Sequence, residues 1–433
     1  MSATSTHDNL APTTPLRRIA AASFVGTTIE WYDFFIFLTA ASLVFNEVFF
    51  PGVSPLIGVM LGFLTHGIGF VVRPLGATLF GHLGDRIGRK STLVITLLSM
   101  GVSTFAIGLL PAHDTGGNVS ALLLVLMRIV QGLAVGGEWG GAVLIATENA
   151  QPNQKVFYGS FAQLGSPGGL LFATLAFTAV TSSFSPAELV DWAWRIPFLA
   201  SALLIPVGLI IRLRIAETPE FRRAVERHET SRLPIVTVFR RQGLQVLTGT
   251  FAFAGVFLTY YLLTSFVLSY ATETLGMSNA LALPTNIIAA VVEGVFIFVG
   301  VLLAKRYTAR LVAAWSAVGL LVWSGPAFAM MHTREAFMLY VAVAVAMTFV
   351  GASYGVLAGE VAELFTPAVR YSGTSLCYHF AGAIGGGLGP ITATWLLSAV
   401  HSSWPVALLS AVGAGVMTVA CLALPRPGAG NAG

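Results

Sequence analysis

The sequence predicts an all-α membrane protein in which twelve helices form two halves of six. Of its 433 residues, 55% are hydrophobic and only 10% are charged, whereas soluble domains carry about 25% charged residues. Long apolar runs alternate with short polar breaks, and a spanning helix needs about 20 mostly apolar residues. A chain of this composition offers too little polar surface to water, so we expect its solvent to be a lipid bilayer.

The apolar runs define the predicted spans, and the longest break between them divides the chain. The predicted spans are 19–45, 56–81, 91–111, 120–149, 156–183, 191–212, 244–272, 281–304, 311–331, 336–363, 371–400 and 404–424. The predicted organisation is a tail at 1–17, a six-helix bundle at 18–213, a charged central loop at 214–243, a second bundle at 244–424 and a tail at 425–433.

The two halves repeat one local pattern where the fourth span meets the fifth and the tenth meets the eleventh. Glu148 is followed by Lys155, an aromatic residue and a Gly-Ser pair. Glu363 is followed by Arg370, an aromatic residue and a Gly-Thr pair. Glycines come next in both halves, and a repeat of this kind is the expected build of a large class of transporters.

The positive charges lie almost entirely on one side of the predicted membrane. All of the 23 Lys and Arg residues fall on the side of the two termini except Arg73, Arg128 and Arg195, which lie within spans, and Arg334. Cytoplasmic loops carry the excess of Lys and Arg, so both termini and the central loop are predicted to be cytoplasmic. The same placement explains the net charge of +4 without a nucleic-acid partner.

Five short motifs carry a resemblance to known proteins. The break between the second and third spans reads GHLGDRIGRK at 81–90 and resembles the signature loop of the major facilitator superfamily. The others are TIEWYDFF at 28–35, RPLG at 73–76, RIVQGLAVGGEWGG at 128–141 and WRIPF at 194–198. Together they resemble the metabolite–proton symporter family, the group of shikimate, α-ketoglutarate, citrate and proline/betaine permeases. The resemblance implies two six-helix bundles around a central cavity and transport by alternating access.

The second half departs from the family at one loop. Members often repeat the signature loop, with an aspartate, after the eighth span. Here the stretch 304–310 reads AKRYTAR and contains no acid. The resemblance therefore assigns no gating role to this second loop.

Two carboxylates on the first span are the predicted proton-coupling residues. Glu30 and Asp33 are one helical turn apart and share a face. Ionisable groups inside a span are expensive and indicate function. Because like charges buried close together repel, one of the pair can hold a proton near neutral pH. The alternative is that one of them pairs permanently with a neighbouring arginine.

Two of the arginines within spans are candidate substrate residues. Arg73 lies about 12 Å from the basic end of the second span, at 1.5 Å per residue, and a guanidinium fork suits a carboxylate. A structural pair with Asp33 or Glu30 is the alternative. Arg128 is the second candidate, with Gln131 one turn away as a possible donor to substrate. Glu138 is a further candidate, with a pair across helices as the alternative; it is ten residues from Arg128 on another face, so the two do not pair directly.

The remaining candidates for the cavity come from the sixth span and the second half. Arg195 is kept by the resemblance, although a position at the membrane interface is the alternative. Tyr260, Tyr354 and His379 would suit a small polar substrate, and Tyr261 and Glu293 could also face the cavity, with core packing as the alternative.

The predicted gating residues belong to the signature loop and to the repeated pattern. Asp85 can cap the next helix and pair with basic residues across the two halves. The predicted set is Gly81, Asp85, Arg86, Arg89, Lys90, Glu148, Glu363 and Arg370.

The sequence contains no enzyme signature, metal-ligand spacing or cofactor motif. The prediction is therefore a symporter driven by a proton gradient, whose partners are a small organic anion, the proton and the lipid bilayer. The alternatives are a carrier of zwitterions or polyols, a uniporter, and a substrate sensor without net flux.

Overall fold

A computed structural model of the chain describes residues 16–87, 89–136, 155–214, 234–366 and 369–425. Every regular element in these ranges is helical. The predicted residues Glu138 and Glu148 lie outside the described residues.

The first half contains six long helices. They are α1 (Leu16–Leu43), α2 (Pro55–Val71 continued by Arg73–Ile87), α3 (Arg89–Leu109), α4 (Asn118–Gly136), α5 (Lys155–Gln163 continued by Gly165–Ser183) and α6 (Arg195–Arg214). Short helices at Phe45–Val48, His113–Gly116 and Pro186–Glu188 connect them on one side.

The second half also contains six. They are α7 (Pro234–Tyr261, continued to Thr274 through Leu262–Phe266, Val267–Ser269 and Tyr270–Thr274), α8 (Pro284–Arg306), α9 (Ala309–His332), α10 (Ala336–Glu363), α11 (Arg370–Ala381, Gly382–Gly387 and Leu388–Val400) and α12 (Trp404–Ala423).

Ten helices of the described chain are long and apolar enough to cross a membrane. An eleventh results if the bent pair Pro186–Ala193 and Arg195–Ile211 forms one span. The helix α1 completes the set, because its 28 residues extend for about 42 Å, which exceeds the thickness of the bilayer core. Its lower hydropathy follows from Glu30 and Asp33. The predicted fold of twelve helices is confirmed.

The packing of the helices repeats between the two halves. In the first half α1 packs on α5, α2 on α4, and α3 on α6. In the second half the equivalent pairs are α7 on α11, α8 on α10, and α9 on α12. The contacts between the halves are also equivalent under the repeat. The α5 helix meets α8, and their counterparts α11 and α2 meet each other. The molecule therefore consists of two pseudo-symmetric six-helix bundles, as the sequence repeat predicts.

The contact between α2 and α11 is close because small residues and an aromatic ring meet there. A Cβ atom on Gly67 would lie 3.3 Å from the carbonyl oxygen of Gly387. Atoms of the Phe70 ring occupy the space that side chains at Gly382 and Gly386 would need, 2.8 Å from each ideal Cβ position. The aromatic ring of one bundle thus fills the gap left by two glycines of the other.

Irregular helix segments lie next to this contact. The α2 helix is interrupted at Val72, because Pro74 has no N–H to donate to the preceding turn. Wider π-helical turns occupy Leu262–Phe266 in α7 and Gly382–Gly387 in α11, and π turns are frequent at functional sites. Backbone irregularities in α2, α7 and α11 therefore all lie where the two bundles meet.

The α7 helix begins earlier than predicted and bends at the expected boundary. It starts at Pro234, within the predicted central loop, and its backbone leaves helical geometry at Gln242 (φ −133°, ψ 33°). Proline at a helix start is favourable because its missing N–H would have had no partner there. The charged stretch before Gln242 is thus helical, and the long apolar stretch follows the bend.

Candidate functional site

Arg128 lies in the interior of the first bundle and is held by side chains from three helices. It is 1% exposed. Its Nη1 donates to Oε1 of Gln131 at 2.6 Å, and Nε2 of Gln131 donates to the Thr104 hydroxyl at 2.7 Å. Its Nη2 is 2.7 Å from Nδ1 of His66. These contacts connect α4 to α3 and α2, and they fix the orientation of the guanidinium.

The contact with Arg128 determines the state of His66. A guanidinium has only donors, so Nδ1 of His66 accepts and its hydrogen must be on Nε2. His66 is 1% exposed, and Nε2 has no hydrogen-bond partner among the described residues. His66 is therefore a neutral acceptor that supports Arg128.

Arg73 opens the second segment of α2 and faces aromatic rings. It is 2% exposed. Its guanidinium carbon lies 4.0 Å from the centroid of the Phe70 ring and 4.8 Å from that of Phe34. Cations at such distances are attracted by the ring face. The rings stabilise the charge while offering no hydrogen-bond acceptor to its fork.

The two guanidinium groups share one ring. Arg128 lies 4.1 Å from the Phe37 centroid and 5.2 Å from the Phe34 centroid, so Phe34 contacts both cations. The Nε atoms of Arg73 and Arg128 have no hydrogen-bond partner among the described residues. Two buried guanidinium groups, each with an unpaired Nε donor among the described residues, are thus held together in the first bundle.

Tyrosines of the second bundle face Arg73. The ideal Cβ position on Gly382 of α11 lies 4.0 Å from Nη1 of Arg73, so the second bundle reaches this guanidinium. The hydroxyls of Tyr354 and Tyr378 are 3.0 Å apart and share a hydrogen bond, and the Tyr261 ring packs edge-on to Phe70 at 5.6 Å. The arginines of one bundle and the phenols of the other therefore form one buried polar site.

Tyr260 and His379 belong to the second bundle's part of this site. The Tyr260 hydroxyl accepts from the Ser166 hydroxyl of α5 at 3.4 Å, across the contact between the bundles. His379 is fully buried on α11, close enough for the charge of Arg73 to act on it.

The two predicted carboxylates differ in burial. Asp33 is 3% exposed, whereas Glu30 is partly exposed. Asp33 directly precedes Phe34, the ring shared by the two arginines. Asp33 is thus the sequence neighbour of the residue that contacts both arginines, and Glu30 lies one turn toward the basic side.

Arg195 does not join the central group. One of its nitrogens donates to the carbonyl oxygens of Gly108 and Leu110 at the end of α3, and its guanidinium carbon lies 4.6 Å from the Trp194 ring. It is only partly buried. Arg195, the first residue of α6, therefore caps the end of the α3 helix near the outer loops.

The residues predicted to form the gate lie at the opposite, basic side. Gly81, Asp85 and Arg86 fall in the last turns of α2, and Arg89 and Lys90 open α3.

The repeated pattern of the second half is described in more detail. Glu363 is exposed at the last residue of α10. Nε of Arg370 donates to the Phe365 carbonyl at 3.4 Å, which holds the turn between α10 and α11.

Sequence reasoning missed several residues of the site. Phe34, Phe37 and Phe70 were not predicted as partners of the arginines, nor were Thr104 and Tyr378. Phe34 follows Asp33, and Phe70 precedes Arg73 by one turn. Their positions next to predicted residues could therefore have indicated that they belong to the site. Thr104 and Tyr378 lie on other helices, and only the fold brings them near.

Two symmetric six-helix bundles that enclose buried cations and phenols define a transporter of the major facilitator type. The fold matches that of a solved D-xylose–proton symporter with a TM-score of 0.72 and 18% identity, over 96% of this chain and 98% of that one. The sugar (and other) transporter family matches residues 19–235.

Curated relatives narrow the assignment of the chain to a family of transporters. The chain is 35% identical to the inner membrane metabolite transport protein YhjE of Escherichia coli over 95% of this chain and 94% of that protein. It is 35% identical to the shikimate transporter of the same organism over 90% and 89%. It is 30% identical to the citrate–proton symporter of Klebsiella pneumoniae over 86% and 83%. The chain belongs to the sugar (and other) transporter family of the major facilitator superfamily, and the resemblance to metabolite–proton symporters is confirmed. It is a multi-pass membrane transporter and not an enzyme.

Proposed function

We propose that this transporter is a proton symporter that carries a small organic acid into a bacterial cell across the inner membrane. Both termini would be cytoplasmic, as the distribution of Lys and Arg predicts. The relatives named for shikimate and citrate carry acids, and one of them is named for proton symport.

One observation carries the proposal, namely the pair of buried guanidinium groups at Arg73 and Arg128. A charged side chain at the bilayer centre costs at least about 2.5–3.5 kcal/mol, so a pair of them needs a function. Both retain an Nε donor with no hydrogen-bond partner among the described residues. A carboxylate bound to a guanidinium by two parallel hydrogen bonds would use such donors. An anionic cargo therefore supplies the acceptors that the site lacks.

The proton would act through Asp33, with Glu30 as the second candidate. An ionised carboxylate at Asp33 would compete with an anionic cargo for the two arginines that Phe34, the next residue, contacts. A proton on Asp33 removes that competition. Cargo and proton would then bind together and be released together, which is the requirement for symport.

Access to the site would alternate as the two bundles rock against each other. Asp85, Arg86, Arg89 and Lys90, with Gly81, would close the basic side together with Glu148, Glu363 and Arg370. Gln131 would position Arg128, and Tyr260, Tyr354 and His379 would line the second bundle's face of the site. Glu138 remains a candidate on the same motif, and Arg195 a weaker one.

The test is uptake into proteoliposomes with and without an imposed pH gradient, using shikimate, citrate and glycine betaine. We expect accumulation of an acid only with the gradient. Accumulation of betaine alone would indicate a zwitterion carrier, equilibration without accumulation would indicate a uniporter, and an absence of counterflow for all three would indicate a sensor.

Variants of Arg73 connect the flux to the site. Arg73→Ala should abolish acid uptake, and Arg73→Lys should retain little, because an ammonium supplies charge without the planar fork. The exposed Arg240 offers the matched control, Arg240→Lys, which should transport normally. Normal uptake by Arg73→Ala would remove Arg73 from the site.

A further inference from the structure

Glu293 is a buried carboxyl group at the junction of four helices. It lies on the buried stripe of α8 formed with Asn286, Ala290 and Ile297. Its Cα is 3.1 Å from the ideal Cβ position on Gly351 of α10, so the two backbones touch there. The next residue, Gly294, faces Pro167 of α5 at 3.8 Å. Glu293 thus lies where the second bundle meets the first.

The surroundings of Glu293 contain phenols. Its side chain is 1% exposed, and Oε2 has no hydrogen-bond partner among the described residues. Tyr354 follows Gly351 by one turn on α10, and its hydroxyl is 3.0 Å from that of Tyr378. Ser166, next to Pro167, donates to the Tyr260 hydroxyl at 3.4 Å.

Within the described part of the chain, the other helices that pack on α8 bring no cation near the Glu293 carboxyl. The α5 helix presents Ser166 and Pro167 at this level, and α9 carries its titratable residues, Arg310 and His332, only at its ends.

The same phenols link Glu293 to the arginine pair. The ring of Phe257 packs against the rings of Tyr261, Tyr354 and Tyr378. The Tyr261 ring in turn packs at 5.6 Å against Phe70, the ring that contacts Arg73. An anion bound at Arg73 would therefore be repelled by an ionised Glu293 through a low-dielectric interior. A protonated Glu293 would not repel it and could donate a hydrogen bond.

An ionised carboxylate at this position would be costly. Burial of a charge without a paired cation costs several kcal/mol, which is why such groups neutralise instead. The neutral acid needs only an acceptor for its O–H, and the phenol oxygens are acceptors. The geometry therefore favours the protonated acid while the site is closed to water.

We infer that Glu293 is a proton-binding residue of the second bundle, which holds a proton while the site is closed to water and releases it when water enters from the side to which the cargo is delivered. The inference rests on the proposed symport, and it adds a carrier of the coupled proton that is separate from Asp33.

An infrared measurement tests the protonation without any cargo. Purified protein at neutral pH should show a C=O stretch of a protonated carboxyl that is absent from Glu293→Gln and present in the control Glu335→Gln, whose glutamate is exposed. Glu293→Asp, which keeps the acid, should shift the band, and it serves if the glutamine variant does not fold. Identical spectra for wild type and Glu293→Gln would overturn the inference, whatever the transport assay shows.

Transport of shikimate and citrate in proteoliposomes tests the coupling. Glu293→Gln mimics the neutral acid, so it should keep counterflow, while its limiting accumulation falls about tenfold per unit of pH gradient for the one proton lost. Accumulation equal to that of wild type would overturn the inference. If wild type accumulates neither acid, the proposed function fails, and the infrared band still decides whether Glu293 holds a proton.

Discussion

Two replacements of Gln131 should change cargo affinity in opposite ways. Gln131 accepts from Arg128 at 2.6 Å and donates to Thr104 at 2.7 Å, so both ends of its amide are engaged. Gln131→Glu keeps the acceptor and adds a charge that competes with the cargo for Arg128. Gln131→Leu removes the acceptor and leaves a donor of Arg128 for the cargo.

The expected change in KM follows from the hydrogen bond to Arg128 that each replacement strengthens or removes. Hydrogen bonds to charged groups contribute about 1.5–3 kcal/mol. Gln131→Glu should therefore raise KM for acid uptake by about tenfold to a hundredfold. Gln131→Leu should leave KM unchanged or lower, but should reduce the thermal stability of the protein, because a buried guanidinium loses a partner.

The assay is the initial rate of shikimate uptake against concentration in proteoliposomes, with melting measured in detergent. Thr104→Val is the matched control, because it removes only a neutral bond to Gln131, worth about 1 kcal/mol. The reasoning is refuted if Gln131→Glu has the KM of wild type, or if both replacements raise KM equally.

Three further substitutions test other contacts. Phe34→Leu removes the ring shared by the two guanidiniums and should raise KM about threefold to thirtyfold, from a cation–π loss of about 0.5–2 kcal/mol; an unchanged KM in the same uptake assay would contradict this. Gly382→Ala places a methyl group against the Phe70 ring, at 2.8 Å, and should lower stability by about 1–3 kcal/mol and slow uptake, while Gly325→Ala, which meets nothing within 4 Å, should do neither. Arg195→Ala should lower the melting temperature without a change in KM, whereas a large rise in KM would return Arg195 to the binding site.

The fold was predictable because its signals are local and repeated. Apolar runs, the one-sided distribution of Lys and Arg, and the signature motif at 81–90 each depend on short stretches of chain. The start of α7 was less predictable, because Pro234 opens a charged helix that no apolar run reveals.

The site was predictable only in part. Arg73, Arg128 and Asp33 stand out because charge is rare in apolar spans. Their surroundings do not, since Phe34, Phe37 and Phe70 resemble ordinary core residues in a chain with 30 phenylalanines. Thr104 and Tyr378 reach the site through the packing of separate helices, which no spacing within one helix encodes.

Phe70 links the separation of the two bundles to the surroundings of the Arg73 cation. Its ring occupies the hollow left by Gly382 and Gly386 and also lies 4.0 Å from the charge of Arg73. Any parting of α2 from α11 must pull the ring out of that hollow, and the ring cannot leave without altering what surrounds the cation. Release of cargo and separation of the bundles would then be one mechanical step, so leakage of an empty half-open carrier is discouraged by the shape of a single side chain.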